Sequence, residues 1–140
     1  MNCQVEEMLA AARRDRQAGN VEEAERRYRC AAKLAREEGN STAVAHALPH
    51  VSDLARERAS IDEPLAAASQ AVAIYRAQDD PHPLDLANAL RLQALALREA
   101  GEDRHVLPLW NEAREFYRSL GVYAGVEEVS RKLNRSAQHD

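Results

Sequence analysis

The residues of this 140-residue chain best suited to metal or nucleophile chemistry are five histidines and two cysteines. His46, His50 and Asp53 stand at i, i+4 and i+7. That spacing puts all three on one face of a helix, where two imidazoles can chelate a metal. The string is HALPH. It lacks the glutamate of a zinc-protease helix, and Pro49 between the histidines removes a backbone hydrogen bond. A solvated helix face is the better reading, and a metal or enzymatic site built on these histidines ranks last. His82 follows a proline turn, His105 begins a helix and His139 is in the tail. None has a serine or cysteine neighbour suggesting a triad. Cys3 and Cys30 are too few for a disulfide framework or a zinc knuckle and read as free thiols. The acidic pairs Glu6-Glu7, Glu22-Glu23, Glu37-Glu38 and Glu127-Glu128 are adjacent in sequence. They point to different parts of a helix surface and read as solvated faces. No glycine-rich phosphate loop occurs. The expectation is a non-enzyme with no metal and no cofactor.

Composition says what elements carry these residues. The hydrophobic fraction is 45%, yet it includes 27 alanines and only six aromatic residues. Alanine is the best helix former, whereas strands favour β-branched and aromatic side chains, so an all-β fold is excluded. Abundant Leu and Ala with five Gly and five Pro also exclude disorder. The length fits one domain, residues 1–140. The longest uninterrupted apolar stretch, Ala71 to Tyr75, is too short to span a bilayer. The start, MNCQVEEML, carries two glutamates and no signal pattern. The expected setting is cytoplasmic, away from membranes. The net charge of −4, with no block of like charge, argues against nucleic acid as a partner.

Glycine and proline punctuate the chain at Gly19-Asn20, Gly39-Asn40, Asp79 to Pro83, Gly101 and Gly121. Between them the apolar residues recur at helical spacing, as Leu86, Ala89, Leu90 and Leu97 do. Seven helices are predicted, at about 3–18, 21–38, 41–59, 63–78, 84–100, 104–120 and 123–137. Asn20 with Glu23 reads as a capping box. Asn40 or Ser41, and Asp62, read as N-caps, and Pro83 suits a first helical position. Ala59-Ser60-Ile61 marks a turn without glycine. Cys30 lies beside Ala31, where a small buried residue is expected.

An internal repeat organises these helices. Ala71-Val72-Ala73-Ile74-Tyr75-Arg76 matches Ala113-Arg114-Glu115-Phe116-Tyr117-Arg118 at a shift of 42. The same shift maps Ala47-Leu48 onto Ala89-Leu90, and a shift of 40 maps Ala31, Leu34 and Ala35 onto Ala71, Ile74 and Tyr75. A two-helix unit of this length must stack to bury its faces. In GNVEEAERRYRCAA, Ala24, Tyr28 and Ala31 place small, bulky and small residues along a second helix after Gly19. Gly101, Val106, Trp110 and Ala113 repeat the pattern; Ala59, Pro64, Ala68 and Ala71 repeat it without the glycine and the aromatic. In these features the chain resembles the tetratricopeptide repeat family, and its longer period resembles the kinesin-light-chain-like branch. In the first helices Asp15, Ala55 and Leu97 replace the family's usual tyrosine.

The resemblance implies an all-α right-handed solenoid. It would hold three antiparallel hairpins, about 3–38, 41–78 and 84–120, and a capping helix, about 123–137. The polar outer face of that cap would carry Glu127, Arg131, Lys132 and Arg135. Tyr28 and Trp110 would fill bulky core slots. First helices line the concave surface in this family. The inward residues would be Glu6, Leu9, Arg13 and Arg16; then His46, Pro49, His50, Asp53 and Arg56; then Asn88, Arg91, Leu95 and Arg98. Such a groove is more basic than the whole protein. Arginine grips carboxylates bidentately and an asparagine amide pairs with an extended backbone. The expected function is non-catalytic binding of a protein or peptide segment bearing acidic groups. The lysine and paired asparagines of the family's chaperone-binding clamp have no counterparts here. The alternative is a self-associating homo-oligomeric scaffold, with Val21, Met8 and Leu9 exposed on the first hairpin. The repeat register itself predicts that Ala71→Leu or Ala113→Leu overpacks a helix contact. Each should lower stability by about 1–3 kcal/mol, read as a reduced denaturant midpoint.

Overall fold

The computed structural model describes residues 3–60 and 62–138, so Ile61 and His139 fall outside the described residues. Among the described residues seven α-helices follow one another: α1 Cys3–Gln17, α2 Val21–Glu37, α3 Ser41–Glu57, α4 Asp62–Ala77, α5 Pro83–Glu99, α6 Val106–Ser119 and α7 Tyr123–Gln138. No strand occurs among the described residues, and no helix among them is long and apolar enough to cross a membrane. Each helix packs against the next in the chain, and α3 also touches α5.

The helices come close because their contact faces are alanine. Ala12, Ala24, Ala35, Ala45, Ala68, Ala71, Ala94 and Ala113 are all completely buried. A methyl group holds no neighbouring backbone away, and the volume of the core comes from buried leucines and valines such as Leu54, Leu90, Val51 and Val129 together with four aromatic side chains. Trp110, Tyr28, Tyr75 and Tyr117 are the buried aromatic residues. Gly125 of α7 takes the same logic further: a Cβ there would lie 2.7 Å from the Tyr117 ring, so only glycine lets α7 settle on α6 at this distance. Cys30, by contrast, is exposed, because it sits one residue off the buried stripe that Ala31 and Ala35 define.

The helix ends follow local chemistry with two differences from expectation. Asn40 accepts a hydrogen bond from the Ala43 N–H at 3.1 Å, as an N-cap should, and Pro83 opens α5. Asn20 occupies the N-cap of α2 but its side chain makes no capping bond. Glu23, predicted to reach back to it, turns instead to Arg26 and to Arg27 at 3.5 Å. An ion pair at helical spacing has outcompeted the capping box. The sixth helix begins at Val106 behind a 3-10 turn at Asp103–His105, later than the predicted 104. The third helix continues through Pro49.

Five turns share one closing bond, in which an N–H reaches the carbonyl five residues back. Asn40 does so to Ala35 at 2.8 Å, and Ser60 does so to Ala55 at 3.1 Å. The residue before the donor must be left-handed. Four turns place glycine there, but the turn after α3 places Ala59 at φ +63°. An L-residue in that region costs on the order of 1–2 kcal/mol, part of which the extra flexibility of glycine in the unfolded chain offsets. Ala59→Gly should therefore stabilise the protein by about 0.5–1 kcal/mol. A lower midpoint in urea would contradict the strained turn.

Candidate functional site

A concavity of about 420 Å³ opens along α1, α3 and α5. From the first of these come Leu9, Arg13 and Arg16. The third helix presents His46, Pro49, His50 and Asp53, and the fifth presents Asp85, Asn88, Arg91 and Leu92. Nine of the thirteen predicted groove residues therefore line one space. The other four do not. Leu95 is 6% exposed and belongs to the hydrophobic core, while Glu6, Arg56 and Arg98 lie outside the lining. Tyr28 and Tyr75 form part of the wall from α2 and α4. Sequence reasoning gave Tyr28 to the core and overlooked Tyr75, Asp85 and Leu92 as wall residues. The recurrence of Tyr75 and Tyr117 at one repeat shift was the available signal.

The side chains are held by contacts between helices that are not chain neighbours. Arg16 donates to the His50 Nδ1 at 2.9 Å and pairs with Asp53. Asp53 also accepts from Arg56 at 2.8 Å, and Arg56 lies 3.6 Å from Glu99. A line of alternating charge thus ties α1 to α3 and α3 to α5. Burial alone would raise the Asp53 carboxyl, but the hydrogen bonds from Arg56 and Arg16 outweigh it and hold the group below the usual carboxylate range. Arg91 stands 3.3 Å from Glu128 of α7. Ion pairs therefore compensate part of the charge of this arginine-rich groove. Of its three lining arginines, only Arg13 lacks an ion-pair partner among the described residues.

Each tyrosine meets the groove helices through its polar end or its face. The Tyr28 ring stacks on His50 with centroids 4.3 Å apart and planes 4° from parallel. Its hydroxyl is buried and has no hydrogen-bond partner among the described residues. Burial raises the Tyr28 pKa, against the opposing charges of Arg16 and Arg13. Tyr75 lies 6.4 Å from the His46 ring, and burial, then the Asp85 charge, raises its pKa. Tyr117 donates to the Asn88 Oδ1 at 2.6 Å.

The two histidines of HALPH do not converge. His46 Nε2 lies 3.5 Å from Asp85, whereas His50 turns to Tyr28 and Arg16. Among the described residues, no group of three or more His, Cys, Asp or Glu side chains is arranged to hold a metal ion. What the walls offer is recognition: a guanidinium, a phenol, an amide and two imidazoles around an open floor. No protein-family model matches the chain, and no curated protein matches it.

Because Arg16 can only donate, the His50 Nδ1 must accept, so His50 is neutral with its proton on Nε2. Burial, then the Arg16 charge, pushes its pKa down from 6.5 to about 4. The unfolded chain takes up this proton as pH falls below 6.5, and the folded chain resists until about 4. The stability contributed is therefore complete above the first value and is lost on approach to the second. The melting temperature should fall across that window, and His50→Gln, which keeps an acceptor for Arg16, should flatten the slope.

Proposed function

We propose that the chain is a tetratricopeptide-like α-solenoid whose concave groove binds a protein segment bearing an acidic group, without catalysis. The helix order supports the solenoid part. Beside the packing of each helix on the next, ion pairs also skip one helix, joining α1 to α3 through Arg16 and Asp53, and α3 to α5 through Arg56 and Glu99. Arg36 to Gln70 and Arg76 to Glu112 do the same for α2, α4 and α6. Stacked hairpins produce this pattern, with first helices against first helices and second against second.

One observation carries the binding reading. Arg13, without an ion-pair partner among the described residues, and Tyr28, with a buried and unpartnered hydroxyl, line the same stretch of wall beside the His50 ring. Both offer donors, and His50 in its neutral tautomer adds a third at Nε2. A carboxylate supplies the acceptors this set lacks. The helices around it are already ordered, so a ligand meets a preformed surface and binding avoids much of the ordering cost.

Self-association is the second reading. Val21 is exposed, and Leu120 and the 73%-exposed Tyr123 stand together at the turn between α6 and α7. Met8 and Leu9 are half-buried and contribute less apolar surface than expected. A monomer in light scattering at high concentration sinks this alternative.

Peptides rich in Asp and Glu, each paired with its Asn and Gln counterpart, test the leading reading by fluorescence anisotropy. Acidic members should bind more tightly than neutral ones. Arg13→Gln should weaken them about tenfold, the equivalent of about 1.4 kcal/mol, and Tyr28→Phe should weaken them less. Equal affinity for acidic and neutral members, or no loss in Arg13→Gln, would end it.

A further inference from the structure

Outside the groove lining, α5 and α7 gather cations without matching carboxylates. The 3.3 Å contact between Arg91 and Glu128 fixes the register of these two helices. Two turns beyond that pair in sequence come Arg98 on α5 and Arg135 on α7, with Lys132 between Glu128 and Arg135. Arg56 approaches from α3, its guanidinium 3.6 Å from Glu99. The carboxylates near this cluster are engaged: Glu99 faces Arg56, and Glu128 faces Arg91. Arg98, Lys132 and Arg135 have no ion-pair partner among the described residues.

Lys132 was expected on the outer face of the cap. It is instead half-buried, where burial, then the charges of Arg98 and Arg135, push its pKa down, with Glu128 opposing them and Arg56 adding to them. Positive side chains near one another with no carboxylate free to pair with them present an unmet demand for negative charge. The cluster therefore suits an anion that brings more than one negative charge and more than two acceptor oxygens. A single carboxylate brings one charge and two oxygens. A phosphate monoester at neutral pH carries nearly two charges and three terminal oxygens, each able to take charge-assisted hydrogen bonds from Arg or Lys.

We propose that Arg98, Lys132 and Arg135, flanked by Arg56, form an anion site for a phosphate monoester. It lies outside the groove, because none of these four residues lines that concavity, although Arg56 also donates to Asp53 of the groove wall. The ester is held either as a small phosphate compound or as a phosphorylated side chain of a partner, and the recognition chemistry is the same.

Thermal melting of the full chain in inorganic phosphate, against sodium chloride of equal ionic strength, tests the site. Phosphate should raise the melting temperature saturably and beyond the chloride effect. Arg98→Gln and Lys132→Gln should each weaken phosphate binding about tenfold, the loss of one charge-assisted contact. In chloride Lys132→Gln should melt no lower than the parent, since it removes repulsion. Arg135→Gln, on an exposed position, provides a variant that folds if the others do not. Arg13→Gln should leave the phosphate response intact, which separates this site from the groove. Calorimetry with a serine peptide and its phosphoserine form distinguishes the sources. Phosphoserine binding more tightly than inorganic phosphate, and lost in Lys132→Gln, assigns the anion to a partner; affinity no better than that of inorganic phosphate assigns it to a small compound. A response that matches chloride, or one that survives in all three variants, overturns the proposal.

Discussion

Close approach of helices at completely buried alanines is the constraint on which the rest of this structure depends. Where Ala24, Ala35, Ala68, Ala71, Ala94 and Ala113 meet their neighbours, nothing larger than a methyl group is present. Dispersion per contact is small, so such faces gain stability only by being close and continuous. That closeness has two consequences. It leaves few slots for aromatic side chains, which Trp110 and three tyrosines occupy among buried leucines and valines. It also brings polar residues on non-sequential helices within reach of one another, as the 2.9 Å contact from Arg16 to His50 illustrates.

The ion pairs should be weighed against that background. Exposed pairs such as Arg118 with Glu115 contribute little, on the order of 0–1 kcal/mol each. Glu25 is different. It is 8% exposed and accepts from Arg58 at 2.8 and 2.9 Å and from Arg29 at 2.9 Å. The Arg58 hydrogen bonds, first among the causes, overcome the effect of burial and hold the Glu25 carboxyl below its ordinary range. Removing one partner would leave a carboxylate poorly solvated, which costs more than the intact pair gains. The charges therefore fix which turn of one helix faces which turn of another, while the alanine faces supply the attraction.

The helices and their turns were legible because each depends on nearby residues. Glycine at the left-handed position, a 3.6-residue apolar period and Pro83 at a first turn are all local signals. Ala59 was the ambiguous turn because its conformation is imposed by the bonds around it, against the residue's own preference. In the groove, helix phase and repeat position were enough to bring Arg13, His46, Asn88 and Arg91 to one wall. Leu95 escaped that rule because the broad buried face of α5 takes in Leu92, Ala94 and Ala96 around it. Charge compensation was not legible. Nothing near Arg16 in the sequence indicates that Asp53, 37 residues on, will take it. Tyr28 was read as core and is core, yet its ring also makes the wall against which His50 stacks. A repeat pattern gives one role per position and cannot show that a side chain serves on two faces.

The seventh helix combines an apolar face with a charged one. It covers α6 with Val129, completely buried, and with Gly125 against Tyr117. Glu128 adds an attractive tie to Arg91. These contacts would suffice to cover α6. Lys132 works against them, since it places a further positive charge near Arg98 and Arg135 in a half-buried position. Flexible lysine stems usually carry their ammonium out to water, and the exposed neighbour Arg131 lies on that solvent side. With Lys132 half-buried near Arg98 and Arg135, α7 carries positive charge beside the face that covers the core.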